Sequence, residues 1–182
     1  MLKRWLVGLA LTAALASGAA AQDLPKSQFK VIGLNSPTPV SIHDELPFWR
    51  KTIPEASKGA ITVDVTPLDQ MGIDDKTMLR LLKLGVMDFA AMDISKMAGD
   101  DPRFEACDLA GLTLDPDKAR AACAAYRDVI DRQMQKNWNA KLLAFGGNTP
   151  QVFWCRDVIG GLHGFKGKEI RVFNNTPRDL LG

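Results

Sequence analysis

The chain has 182 residues, 46 % of them hydrophobic, with 23 Lys+Arg against 21 Asp+Glu. That balance, with no basic run, lacks the cationic surplus that neutralises phosphates, which excludes a nucleic-acid binder and a polybasic membrane-surface module. The length suffices for one sizeable core or two small lobes.

The first segment is an export signal. Lys3 and Arg4 form a charged head, Trp5 to Ala16 a short apolar core, and Ala19-Ala20-Ala21 a small-residue site, so cleavage is expected before Gln22. The apolar run falls short of the roughly 20 residues a membrane span needs. Removing residues 1–21 leaves 21 basic and 21 acidic residues, a net charge of zero. Export to an oxidising compartment permits disulfides. The three cysteines are Cys107, Cys123 and Cys155. An odd count leaves at least one thiol, and Cys107–Cys123 is the pair closest in sequence. Cysteine also serves as a small buried apolar residue, so both readings stand.

Beyond the signal, Gln28 to Gly33 reads as a strand leading into the loop Leu34-Asn35-Ser36-Pro37. Val40 to Ser57 reads as helical, with Pro47 and Pro54 as breaking points, and Lys58-Gly59 closes it. Ile61, Val63 and Val65 alternate with polar residues, the mark of a half-buried strand. Asp74 is an expected N-cap, Met78, Leu79 and Leu82 form the apolar stripe of the next helix, and Gly85 ends it. Val86 to Met92 then reads as a short buried strand. Asp115-Pro116 opens the clearest helix, a capping side chain followed by proline at the first helical position. Its stripe is Ala119, Ala122, Tyr126, Val129, Ile130, Met134 and Trp138, and Trp49 and Trp138 read as core.

Lys141 to Phe145, Gln151 to Cys155 and Lys168 to Phe173 read as further strands, with a glycine-rich bend over Gly160 to Gly167. Thr176-Pro177 opens another helix five residues before the end. A single turn is too short to be stable, so a C-terminally truncated product is expected. Strands alternating with helices make an α/β protein. No Gly-rich fingerprint follows the first strand, so a dinucleotide site is unsupported. His43 and His163 stand in no metal-ligand spacing. No G-x-S-x-G elbow is present, and the pair Cys155 and His163 lacks a third, orienting group. No cofactor and no catalysis are expected.

Seven segments in order resemble one known family. They are the signal, the strand FKVIGLN, Lys58-Gly59 before ITVDVTP, Asp69-Gln70-Met71-Gly72, MLRLLKLGVMDFAAMD, Pro102-Arg103-Phe104 before Asp108-Leu109 (with Ala110 where the family usually has proline), and Gly164-Phe165-Lys166-Gly167-Lys168-Glu169-Ile170-Arg171-Val172. The set is similar to the C4-dicarboxylate-binding (DctP) type of substrate-binding protein of tripartite ATP-independent periplasmic (TRAP) transporters. The resemblance implies a two-lobed α/β periplasmic solute-binding fold that closes on its ligand by hinge motion, with the second lobe incomplete here. Residues 22–140 would be mainly the first lobe with a connecting helix, and 141–182 the start of the second. It also implies a small organic carboxylate ligand, and integral membrane subunits as partners in ion-gradient-driven uptake. An exported ligand sensor and an exported hydrolase on the same scaffold are the competing readings.

The resemblance also points to site residues. Arg171 matches the arginine of the family's K-i-R-V, which pairs with the ligand carboxylate. A guanidinium fork matches a carboxylate in two parallel bonds. Alternation turns Arg171 away from the Ile170/Val172 face, although a solvated strand arginine has the same pattern. Asn174 matches an asparagine that donates to the ligand in several members, and equally suits a turn. Gln151 stands where some members carry a second arginine; an amide there can bond a hydroxyl or carbonyl oxygen instead. Asn35 and Asp93 end two expected strands, where open α/β sheets line ligand crevices and where family members place polar site residues. Loop capping is the plain alternative for both. Of Phe153 and Trp154, one is expected to line the cleft.

Overall fold

The computed structural model describes residues 24–107, 109–147 and 152–181. Strands β1 (Ser27–Gly33), β2 (Ile61–Pro67) and β3 (Phe89–Ala90) form a parallel sheet in the order β2-β1-β3. β1 pairs with β2 from Ser27↔Ile61 to Gly33↔Pro67 and with β3 at Val31↔Phe89 and Ile32↔Ala90. The central strand is covered on both faces, so Val31 and Ile32 are both buried, as a strand inside a parallel sheet requires.

The connection from β1 to β2 is helical throughout 39–56. Pro47 and Pro54 do not break it, contrary to expectation. Each proline lacks the N–H for an ordinary helical bond. The chain instead widens into two π turns, Ser41–Glu45 and Phe48–Thr52, before the α turn α1 (Ile53–Ala56). The widened bonds run from Leu46 N–H to Ser41 O and from Ile53 N–H to Phe48 O, each spanning five residues. This run lies on the face of the sheet bearing Phe29, Val31 and Phe89. The rings of Trp49 and Phe89 stand 5.3 Å apart and those of Phe29 and Phe89 5.2 Å apart, the latter edge-on. Lys58-Gly59 closes the run as expected, with Gly59 N–H bonded to Pro54 O at 2.8 Å.

Between β2 and β3 come the short α2 (Leu68–Met71) and the capped α3 (Asp75–Lys83). Asp74 Oδ1 accepts from Thr77 N–H at 2.8 Å, satisfying a donor that the first helical turn leaves open. Gly85 ends the segment at φ +68°, a conformation glycine adopts without penalty. The strand expected over Val86 to Met92 shrinks to Phe89–Ala90, flanked by the bonds of Asp88 N–H to Lys30 O and of Ala91 N–H to Ile32 O, each at 2.9 Å.

Two 3₁₀ turns follow, Ile94–Met97 and Pro102–Glu105, and then α4 (Pro116–Trp138). Asp115 caps α4 through the N–H groups of Asp117 and Lys118. One core cluster joins these parts: Leu79 from α3, Met97 and Phe104 from the 3₁₀ turns, Ile130 and Met134 from α4, and Ala140 and Leu142 beyond it. The expected stripe on α4 faces inward, and Ile130 and Met134 are its deeply buried members. Trp138 packs edge-on to Phe104 at 5.5 Å; Trp49 and Trp138 are half-buried.

The strands expected at Lys141 to Phe145, Gln151 to Cys155 and Lys168 to Phe173 are not formed in their described residues. A strand exists only by pairing, and the first of these segments is bonded instead by side chains of α4. Arg127 donates to the carbonyls of Leu142 and Leu143 at 2.9 and 2.7 Å, and Leu142 N–H donates to Asp131 Oδ1 at 2.9 Å. The glycine-rich bend contains the 3₁₀ turn Leu162–Phe165. The last helix, α5, runs Asn175–Leu181, two residues earlier than the start expected at Pro177. Among the described residues no helix is long and apolar enough to cross a membrane. Among the described residues no disulfide joins Cys107, Cys123 and Cys155.

Candidate functional site

The strand order β2-β1-β3 dictates where a ligand can sit. The chain leaves β1 toward β2 on one side, then crosses to β3 on the other. Loops from the carboxyl ends of β1 and β3 therefore diverge, and in open α/β sheets ligands sit outside the strand ends at such a switch point. Asn35 and Asp93 lie on these two loops, as the sequence places them.

The β1 loop is held from both sides. Ser36 donates to Asp69 through its N–H at 2.8 Å and its hydroxyl at 2.5 Å, tying the ends of β1 and β2 together. These bonds hold the Asp69 carboxyl below the usual carboxylate range. On the inner side Leu34 N–H donates to Glu45 Oε2 at 2.7 Å. Glycine at position 33 makes this approach possible, since a Cβ there would stand 3.0 Å from Glu45 Oε2. Burial pushes the Glu45 carboxyl above the usual range, against the lowering pull of the Leu34 N–H and of Trp49. Glu45 is a residue the sequence reading missed. Nothing local marks a helical glutamate as reaching back to a strand end, although Gly33 at the end of β1 was the available hint.

Asn35 is exposed. Its carbonyl accepts from Thr38 N–H at 3.1 Å and from the Thr38 hydroxyl at 2.9 Å. The turn thus uses the main chain of Asn35 and leaves the side-chain amide out of it. Asp93 caps the turn Ile94–Met97: its Oδ1 accepts from Ser95 N–H at 2.9 Å and Ser95 Oγ at 2.7 Å. The capping role is real, and both bonds fall on one oxygen.

The start of α5 and the residues just before it contact the segment that follows β3. Lys96 Nζ lies 4.1 Å from the centre of the Phe173 ring, a cation–π contact three residues past Asp93. Asn175 N–H donates to the buried Glu105 at 3.0 Å, and Ala110 N–H to Thr176 Oγ1 at 3.2 Å. Asn174 sits between these anchors, half-buried, with its Oδ1 3.4 Å from the Thr176 hydroxyl. The structure therefore brings the Asn174 segment to the Asp93 loop.

Arg171 is placed differently. It is exposed between half-buried Ile170 and Val172, so the expected alternation survives without a strand ladder. It lines an open groove of about 350 Å³ with Phe153, Trp154, Lys168 and Glu169 among its walls. Both Phe153 and Trp154 are exposed. Arg156 and Lys168 each approach Asp157 at 3.6 Å, whereas Arg171 forms no ion pair among the described residues. Gln151 lies outside the described residues. No group of three or more His, Cys, Asp or Glu able to hold a metal ion occurs among the described residues.

Residues 33–178 match the model of bacterial extracellular solute-binding protein family 7, DctP. The chain belongs to this family. Family 7 comprises solute-binding proteins rather than enzymes. A relative, the sialic acid-binding periplasmic protein SiaP of Vibrio cholerae serotype O1, is 31 % identical over 126 residues, covering 68 % of this chain and 38 % of SiaP. Two solved structures share the fold. One is a TRAP periplasmic solute-binding protein from Ochrobactrum anthropi, with TM-score 0.54 and 21 % identity over 62 % of this chain and 35 % of that one. The other is DctP7 of Bordetella pertussis, an extracytoplasmic receptor binding pyroglutamic acid, with TM-score 0.53 and 15 % identity over 60 % and 36 % of the respective chains. The chain thus spans between about a third and two fifths of the length of these three proteins.

Proposed function

We propose that this protein binds a small organic carboxylate in the periplasm and presents it to the integral membrane subunits of a TRAP-type transporter for ion-gradient-driven uptake. The observation that carries the reading is the family 7 match over 33–178, which embraces the switch-point crevice and the Arg171 motif together. The named ligands of the relatives, sialic acid and pyroglutamic acid, are both carboxylates, which supports an acid as ligand here. In this reading residues 1–21 are removed before Gln22, residues 22–140 make the first lobe, and 141–182 begin the second. Arg171 supplies the guanidinium fork for the carboxylate. Asn35, Asp93, Asn174 and Gln151 read the remainder of the ligand, with Gln151 facing a hydroxyl or carbonyl oxygen. Closure by hinge motion would bring Arg171 over the crevice.

The test is calorimetric titration of the exported protein with a panel of small mono- and dicarboxylic acids and sugar acids, with neutral sugars as controls. Binding of one acid is expected. Arg171→Met should weaken it on the order of 100-fold, as losing one member of a desolvated charge pair costs about 2–5 kcal/mol. Arg171→Lys, which keeps the charge but not the fork, should lose less. Acid binding left intact in Arg171→Met would remove that residue from the site. Binding of neutral sugars alone would overturn the carboxylate reading.

A further inference from the structure

We infer that Glu45 is a positioning residue for the ligand crevice, fixing the loop after β1 so that the side-chain amide of Asn35 is left for the ligand. Leu34 is the first residue past both ladders of β1, which end at Gly33↔Pro67 and Ile32↔Ala90. There its N–H donates to Glu45 Oε2 at 2.7 Å instead of to a strand.

The same π turn grips the other end of the loop. The Thr38 hydroxyl donates to the Asn35 carbonyl at 2.9 Å and accepts from Ser41 N–H at 3.3 Å. Ser41 and Glu45 are the first and last residues of the π turn, so one turn of the chain holds both ends of 34–38. Single π turns inside helices are frequent at functional sites. On the outer side Asp69 fixes Ser36. The main chain of 34–36 is thus bonded at each residue, while the side-chain amide of Asn35 stays outside these bonds.

The choice of side chain agrees. Glu45 Oε1 is buried, and no lysine, arginine or histidine among the described residues forms an ion pair with this carboxyl. Burying a carboxyl without a cation is unfavourable, and an apolar residue would fill such a place more stably. What glutamate adds is an acceptor for Leu34, directly beside Asn35. Gly33 keeps the approach open, since a Cβ there would meet Glu45 Oε2 at 3.0 Å and Val65 Cγ2 at 3.4 Å. The geometry is independent of any ligand; the role in binding rests on the proposed function.

The experiment compares the processed protein with Glu45→Met, which fills the same place without an acceptor, and Glu45→Gln, which keeps one. Amide hydrogen exchange read by NMR should show Leu34 at least roughly 10-fold faster in Glu45→Met, with Val31 and Ile32 unchanged. Glu45→Gln should restore most of the protection. A Leu34 amide equally fast in the wild type, or one accelerated only in step with Val31 and Ile32, would overturn the inference; the second pattern reports general loosening. Calorimetric titration with pyroglutamic acid and sialic acid, the ligands named for two relatives, and then with the other acids of the panel, adds the functional readout. Glu45→Met should weaken acid binding about 10-fold and Glu45→Gln much less. In an Asn35→Ala background Glu45→Met should weaken binding no further, as expected of a residue acting through Asn35. Should Glu45→Met fail to fold, Gly33→Ala, whose Cβ displaces the carboxyl, replaces it in both assays. An acid bound equally well by the wild type and Glu45→Met, or weakened equally with and without Asn35, would sink the inference and leave the proposed function standing. No acid bound by the wild type would sink both.

Discussion

Residues 24–140 and residues 152–181 were read from the sequence by the same rules, and only the first region became a sheet. Both contain runs of alternating or β-branched residues bounded by glycine and proline. β1 and β2 found partners in each other, with seven residues in register. Val152 to Cys155 and Lys168 to Val172 show equal strand character and no ladder. The difference teaches that strand propensity measures fitness for a pleated, half-buried surface, and the surface has to be supplied by another strand. Helices are less demanding because their bonds are internal. α5 forms at the end of the second region even so, steadied by Glu105 and Ala110 of the first.

The largest effect that would sharpen this contrast lies at Phe104. It is 0 % exposed, in the core cluster, edge-on to Trp138. Phe104→Ala should cost about 3–5 kcal/mol of unfolding free energy, measured by urea denaturation. A loss below about 1 kcal/mol would show that the first region lacks the close-packed core described here.

A smaller loss is expected at the start of α4. Asp115→Ala removes the acceptor for two N–H groups and should cost about 1 kcal/mol. Asp115→Asn, which keeps an acceptor, should recover most of it. If the two variants were equally destabilised, charge at the helix N-terminus rather than capping would be the cause.

Glu45 supplies a pH signature confined to the first region. Burial raises its folded-state pKa above the ordinary value of 4.5. The folded protein therefore holds this proton more tightly than the unfolded chain does. Its favourable contribution is fully present below about pH 4.5 and is lost as pH rises through the raised folded value. Asp101 and Asp131 run the other way. Arg103 holds the former low, and Lys141 with Leu142 N–H the latter, so their stabilisation appears above the ordinary Asp value of 3.8 and fades as pH falls through the lowered one. Glu45→Gln keeps an oxygen for Leu34 N–H and removes the titration. Its stability relative to wild type should rise between pH 4 and pH 7. A difference that stays flat over that range would mean the Glu45 pKa is not raised.

How much of this was legible follows from the range of the interactions. Asp74 and Asp115 were readable because a cap bonds residues two or three positions away. β1, β2 and the inward stripe of α4 were readable because burial imprints a period on the chain. Asn35 and Asp93 fall on the loops that follow β1 and β3, two and three residues past the strand ends. The π turns were not readable: proline signals a missing bond, but whether a helix stops or widens depends on the sheet face it covers. Glu45 escaped because its partner Leu34 is eleven residues away in sequence. The strands of 141–173 were overcalled because pairing is decided by distant segments, and the short β3 was overcalled for the same reason.

The smallest expected effect is the most direct way to break the comparison. Trp154 is 92 % exposed in the second region, and its Cα lies in a segment without strand partners. Truncating a core tryptophan removes packing on every side; truncating this one removes mostly contact with water. Trp154→Ala in this chain should therefore change stability by no more than about 0.5 kcal/mol, against several for Phe104→Ala. In protein processed before Gln22, and so without Trp5, the same substitution should abolish the fraction of tryptophan fluorescence most readily quenched by acrylamide, because Trp49 and Trp138 are half-buried. A loss at Trp154 comparable with that at Phe104 would mean the second region is packed as tightly as the first, and the distinction between paired and unpaired strands drawn here would fail.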